Sequence, residues 1–153
     1  MALLNEGDKA PVFSGLNQNG EPITLEQFKG KKLILYFYPK DSTPGCTAES
    51  CNLRDNYNDL LGKGYEVVGI SPDGEKSHQN FIKKHELPFQ LIADTEKEIL
   101  NAYGAWGLKK MYGKEYEGVL RTTYVIGEDG IILKVFNKVK TKDHVDQILK
   151  EME

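Results

Sequence analysis

The only two cysteines of this 153-residue chain, Cys46 and Cys51, stand five residues apart in one stretch: Tyr36-Phe37-Tyr38-Pro39-Lys40-Asp41-Ser42-Thr43-Pro44-Gly45-Cys46-Thr47-Ala48-Glu49-Ser50-Cys51. The apolar run Leu33–Tyr38 reads as a buried strand, and a helical pattern follows once Pro39, Pro44 and Gly45 have broken it. Thr43 suits an N-cap and Pro44 the first helical position, where no N–H is needed, so Cys46 becomes the third helical residue. Backbone N–H groups at a helix N-terminus carry partial positive charge, and a thiol facing them is favoured as the thiolate, the nucleophilic form. Pro39 has no place inside a central strand; it ends the strand and shapes the floor of a pocket.

A guanidinium would stabilise a thiolate further, and Arg stays charged in any folded environment. The chain has two arginines, Arg54 and Arg121, among its twenty Lys and Arg residues. Arg121 leads the strand-like run Thr122–Ile126 and is either a fixed planar donor at the site or a surface arginine in an ordinary ion pair. Arg54 reads as a helix-surface charge.

The spacing of the cysteines has a mechanical consequence. On an intact α-helix five residues separate Cα atoms by about 8–9 Å, whereas a disulfide needs about 4.4–6.8 Å. Cys46 and Cys51 can therefore pair only if the start of the helix unwinds, so that the segment is helical when reduced and opened when oxidised. The alternative is that Cys51 is simply a small buried hydrophobe.

These residues need a frame, and bulk properties bound it. The length suits one domain, residues 1–153, with a real core. A net charge of −3 gives no drive toward nucleic acid or anionic membrane, and no apolar run reaches the length of a membrane span. The start, Met1-Ala2-Leu3-Leu4-Asn5-Glu6, lacks the basic and apolar regions of a signal peptide, so the expected location is cytoplasmic. In a reducing compartment two cysteines suit reactivity better than a structural staple. His78, His85 and His144 show no metal-ligand spacing, so no metal site is expected, and the histidines are expected on polar helix faces.

Along the chain, Leu3–Lys9 reads as an extended lead-in. Val12-Phe13 and Ile23–Leu25 flank Asn17-Gln18-Asn19-Gly20 as a short hairpin, and Leu25–Phe28 makes one helical turn. A helix from Thr47 to about Lys63 carries Leu53, Tyr57, Leu60 and Leu61 on one face. A strand over Tyr65–Ile70, a helix over Glu75–His85, a strand over Phe89–Ile92 and a helix over Thr95–Tyr103 follow. Gly104–Gly118 has no clean period and reads as a long surface excursion. Strands over Thr122–Ile126 and Ile131–Val139 meet at the turn Glu128-Asp129-Gly130, and Lys142–Met152 is a terminal helix. Parallel units followed by an antiparallel pair predict an α/β fold: a mixed central sheet with helices on both faces and an N-terminal β-hairpin, the arrangement of thioredoxin-like folds.

At this point the motifs converge on a known family. Pro39-x-x-x-Thr43-x-x-Cys46 resembles the active-site signature of the peroxiredoxins. The fuller run from Tyr36 to Glu49, with Cys51 five residues on, is similar to the bacterioferritin comigratory protein, or peroxiredoxin Q, subfamily. The likeness continues through Gly69-Ile70-Ser71-Pro72-Asp73, Trp106-Gly107-x-Lys109-Lys110-Met111-Tyr112-Gly113-Lys114 and Gly118-x-x-Arg121-x-Thr123, and covers nearly the whole chain. Ser42 departs from it, standing where the subfamily often has an aromatic residue.

The resemblance implies that Cys46 is the peroxidatic nucleophile, oxidised by peroxide to a sulfenic acid, and Cys51 the resolving thiol that closes an intramolecular disulfide. It implies that Thr43 and Arg121 hold the peroxide oxygens, that Pro39 shields the thiolate, and that Glu49 anchors Arg121; read alone, Glu49 is a solvated helix acid. The partners implied are hydrogen peroxide and organic hydroperoxides as substrates and thioredoxin or a similar dithiol protein as reductant, with no haem, flavin, metal or other cofactor. A monomer is implied, with a weak homodimer as the alternative. Two other readings stand beside this one. A thioredoxin-like disulfide oxidoreductase would normally need Cys-x-x-Cys, and a peroxide-responsive redox sensor would oxidise without turnover. Trp106, Met111 and Tyr112 line a hydroperoxide-tail pocket or simply pack under a loop, and Lys109, Lys110 and Lys114 form a solvated basic loop.

Overall fold

Strand β3, Lys32–Phe37, is the centre of the structure, and its sequence Lys-Leu-Ile-Leu-Tyr-Phe explains how. Side chains alternate across a strand, so Leu33, Leu35 and Phe37 fall on one face and Ile34 and Tyr36 on the other, with Tyr38 continuing the second set. Both sets are buried, hence the unbroken apolar run. The computed structural model describes residues 4–111 and 113–152; Leu3 and Tyr112, named above, lie outside them.

Beside β3 run β4, Tyr65–Ser71, and then β5, Gln90–Ala93, both parallel, while β8, Thr122–Ile126, and β9, Ile132–Phe136, continue the sheet antiparallel on its other side. The sheet order is β5-β4-β3-β8-β9. On the Ile34/Tyr36/Tyr38 face, Leu53 of α1 (Pro44–Asp55), Leu60 of α2 (Tyr57–Gly62), Phe81 of α3 (Glu75–His85) and Val145 and Ile148 of α5 (His144–Met152) complete one core cluster. On the other face, Ile99 and Leu100 of α4 (Glu98–Ala102) pack with Phe13, Ile23 and Phe28 from the N-terminal hairpin and its 3-10 turn, Leu25–Phe28. The mixed sheet covered on both faces is the expected one. Gly69 is required where it stands: a Cβ there would lie 2.8 Å from Tyr36 Cζ and 2.7 Å from Leu91 Cδ2.

Several boundaries move. The hairpin strands are β1, Ser14–Leu16, and β2, Pro22–Thr24, paired around the Asn17–Gly20 turn. The described part of the lead-in bridges at Lys9 to Ile131, and Gly7 N–H donates to Ile132 O, so it runs along the edge of β9. The long helix breaks at Asn56 into α1 and α2, because the Asn56 side chain turns back to donate to Asn52 O, the competition with helix typical of Asn.

The larger correction concerns Gly104–Gly118. It is an antiparallel hairpin, β6 (Trp106–Met111) with β7 (Lys114–Val119), in unbroken register from Trp106↔Val119 to Met111↔Lys114. No alternation marked it because, beyond its base at Trp106 and Val119, the hairpin stands away from the core. Leu108, Tyr116 and most of β7 are exposed, so neither face selects apolar residues. It is held by its ladder, by Lys97 over the half-buried Trp106 ring and by Lys109 over Tyr116.

Candidate active site

The chain leaves the end of β3 at Tyr38, turns through Pro39–Ser42 and enters α1 at Pro44. Ser42 sits in the left-handed region at φ 66°, a strained conformation for a side chain of this kind, and the turn is tied down from behind. Tyr38 OH donates to Asp41 Oδ1 at 2.5 Å, Ser77 Oγ donates to Asp41 Oδ2 at 2.8 Å, and His78 Nδ1 lies 2.7 Å from the same oxygen. The Asp41 N–H donates to Asp73 Oδ2 at 2.6 Å. The turn is thus bolted to β3, to the loop after β4 and to α3.

Thr43 is the N-cap by backbone alone. Its carbonyl accepts from Thr47 N–H, while its hydroxyl donates back to Lys40 O at 2.9 Å rather than capping an amide. Cys46 follows in the first turn and is fully buried, with Pro39 and Thr43 partly exposed nearby in the sequence.

Arg121 comes from the segment between β7 and β8, and the fold brings it to Cys46. Its Nη2 donates to Cys46 Sγ at 3.1 Å and its Nη1 to Glu49 Oε1 at 2.7 Å, so one guanidinium bridges a thiol and a carboxylate one helical turn apart. The surface-arginine alternative therefore falls. Gly45 makes room: a Cβ there would lie 3.2 Å from Arg121 Nη2. Burial works against the charge on Arg121, but Glu49 and Cys46 together outweigh it and hold the guanidinium pKa above its ordinary value.

Glu49 is not a solvated helix acid. It is fully buried, and burial raises its pKa from 4.5 to about 7 against the pull of Arg121. Its Oε2 has no hydrogen-bond partner among the described residues and faces His144 Nε2 at 3.6 Å. Gln147 Oε1 accepts from Lys140 N–H and lies 3.0 Å from His144 Nδ1, which assigns the imidazole proton to Nδ1 and leaves Nε2 to accept from Thr123 Oγ1 at 2.8 Å. Burial first, and Arg121 after it, lowers the His144 pKa from 6.5 to about 4, with the Gln147 bond opposing.

The histidine expectation is therefore corrected. His78 and His144 are fully buried, each facing a carboxylate. Both were concealed because a helix pattern dominated by charged residues says nothing about which polar residue is turned inward. Asp41, His78 and His144 are the site-supporting residues that sequence reasoning missed. His144 stands at the start of α5, 98 positions beyond Cys46, and had no local signal.

Cys51 lies farther along α1, free and partly exposed, its Sγ 3.8 Å from His85 Nδ1. With α1 continuous from Pro44 to Asp55, helix geometry holds the two cysteine Cα atoms about 8–9 Å apart. Arg54, read as a surface charge, is more than that: it pairs with Asp55 and also donates from Nη1 to His85 O at 2.8 Å.

A thioredoxin-type sheet that presents a cysteine at a helix start, under an arginine delivered by the segment leading into a neighbouring strand, defines the peroxiredoxin class. The AhpC/TSA family pattern matches residues 6–135, and the chain belongs to that family. Within it, the chain stands with the bacterioferritin comigratory protein and peroxiredoxin Q branch. It is 43% identical over 146 residues to peroxiredoxin Bcp of Bacillus subtilis, covering 95% of this chain and 93% of that one. A solved structure of peroxiredoxin Q from Xylella fastidiosa superposes with TM-score 0.92 at 28% identity, over 99% of this chain and 97% of that one. The Xanthomonas campestris bacterioferritin comigratory protein, whose structures were determined to address its alkyl peroxide reduction activity, gives TM-score 0.86 at 31% identity, over 94% and 96% of the two chains.

Proposed function

We propose that this chain is a thiol peroxidase that reduces hydrogen peroxide and organic hydroperoxides in two chemical steps within one subunit. The observation that carries this reading is the Arg121 fork, one arm on Cys46 Sγ and the other on Glu49. The guanidinium, with the partial positive charge of the α1 N-terminus behind it, faces Cys46 Sγ, the attacking atom. Cys46 Sγ attacks one peroxide oxygen, the O–O bond breaks, and the departing oxygen leaves as water or alcohol after protonation, with Cys46 left as a sulfenic acid. Arg121 is charged before and after and so stabilises the growing negative charge without rearranging. Thr43, at the helix start, is the second contact for the peroxide oxygens, and Pro39 borders the entrance.

In the second step Cys51 attacks the sulfenic sulfur, an S–S bond forms as the S–O bond breaks, and water leaves. The first turns of α1 must open for this, because a wound helix keeps the sulfurs apart. A thioredoxin-like dithiol then reduces the bridge by exchange. Both thiols lie in one chain, which suits a monomer, and the need for a dithiol reductant suits the cytoplasm.

The test is peptide mass spectrometry after one equivalent of hydrogen peroxide. A 46–51 bridge is expected in the native protein, no peroxide consumption in Cys46→Ser, and a single stalled turnover in Cys51→Ser. Undiminished consumption by Cys46→Ser would refute the reading. Oxidation without renewed turnover under any dithiol reductant would favour the redox-sensor alternative.

A further inference from the structure

We propose that His85 is a catalytic residue of the second step, the base that takes the proton from Cys51; this rests on the resolving role of Cys51 proposed above. His85 closes α3, and its ring stands edge-on to Phe81 with centroids 5.2 Å apart. Nδ1 is directed at Cys51 Sγ at 3.8 Å, within hydrogen-bond range for sulfur. The groups around it favour the neutral, accepting ring. Arg54 approaches from α1, its Nη1 on the His85 carbonyl and its other arm on Asp55; Lys84 and Glu86 flank His85 in sequence, and Cys51 faces it. Partial burial, then Lys84 and Arg54, lower the His85 pKa, so at neutral pH it is available to accept a proton.

The same contacts decide which sulfur moves. Arg54 fastens α1 to the end of α3, and Asn52 Oδ1 accepts from Val145 N–H, fastening it to α5. Unwinding is thereby confined to the turns before Asn52. Cys51 stays against His85 while the segment bearing Cys46 swings to it. Cys51 Sγ attacks the sulfenic sulfur as its proton passes to His85 Nδ1, the S–S bond forming while the S–O bond breaks, and the hydroxide released is protonated to water by the imidazolium or by solvent.

The size of the effect is bounded. A free cysteine is only about 3% thiolate at pH 7, so complete deprotonation gains at most about thirtyfold. The experiment follows one equivalent of hydrogen peroxide by rapid acid quench, alkylation and peptide mass spectrometry in the native full chain and in His85→Gln, from pH 6 to 9.5. At pH 7 we expect unchanged Cys46 oxidation, bridge formation slowed roughly three- to tenfold and below the thirtyfold ceiling, convergence with the native rate above about pH 8.5 where a free thiol ionises unaided, and partial rescue by added imidazole. Equal bridge rates at every pH overturn the inference alone, as does a uniform slowing that neither converges nor responds to imidazole, which marks a structural contact. Absence of the 46–51 bridge in the native protein overturns both this inference and the resolving role of Cys51.

Discussion

Glu49 and His144 are two buried groups whose proton affinities are displaced in opposite directions, and their effects on stability should mask each other. Burial raises Glu49 from 4.5 to about 7. Its contribution to stability is full below pH 4.5 and is lost as the pH climbs through 7, because only the unfolded chain ionises freely in that window. Burial lowers His144 from 6.5 to about 4. Its contribution is full above pH 6.5 and is lost as the pH falls through 4, because only the unfolded chain takes up the proton. At 1.36 kcal/mol for each pH unit of displacement, either effect amounts to about 3 kcal/mol. Between pH 4.5 and 6.5 the two slopes oppose, and the reduced native protein should show little net dependence from this pair. Glu49→Gln removes one slope and keeps an acceptor for Arg121. Relative to native, and whatever its baseline, that variant should gain about 3 kcal/mol between pH 4.5 and 7.5. His144→Gln should move the other way, gaining a similar amount relative to native as the pH falls from 7 to 4. The assay is urea denaturation of the reduced proteins at half-unit pH steps, with stabilities extrapolated to water. Stability curves for native and Glu49→Gln that stay parallel across pH 4.5–7.5 would refute the reasoning, since they would mean that Glu49 titrates alike in the folded and unfolded chain.

Two further outcomes follow from the same geometry. Arg121→Lys keeps a charge but cannot bridge Cys46 and Glu49 together, so the second-order rate of Cys46 oxidation by hydrogen peroxide at pH 7, read in single turnover, should fall on the order of 10²-fold. Gly45→Ala places a methyl 3.2 Å from Arg121 Nη2; Gly45 stands in the first turn of α1, so thermal stability should hold while the same oxidation rate drops, and an unchanged rate would mean that the guanidinium position is not critical.

Much of this protein was written locally. Strand β3 is apolar at every position from Leu33 to Phe37 because both of its faces are covered, and the helix start follows from Pro44, whose missing N–H and fixed φ suit the first helical position. The Cys46–Cys51 spacing fixes by helix geometry alone that the two sulfurs cannot meet while α1 is wound. The β6–β7 hairpin was illegible because exposed strands leave no buried face to pattern. What only the tertiary structure decided is who meets whom across the chain. It turns Arg121 inward onto Cys46, buries Glu49 against His144 from the far end of the sequence, locks the Asp41 turn to His78, and sets His85 on Cys51. Charged and polar side chains carry no periodic mark of burial, since the same Glu or His can be solvated on one helix and enclosed on another. Their protonation and role follow from partners that the folded sheet alone brings within hydrogen-bonding distance.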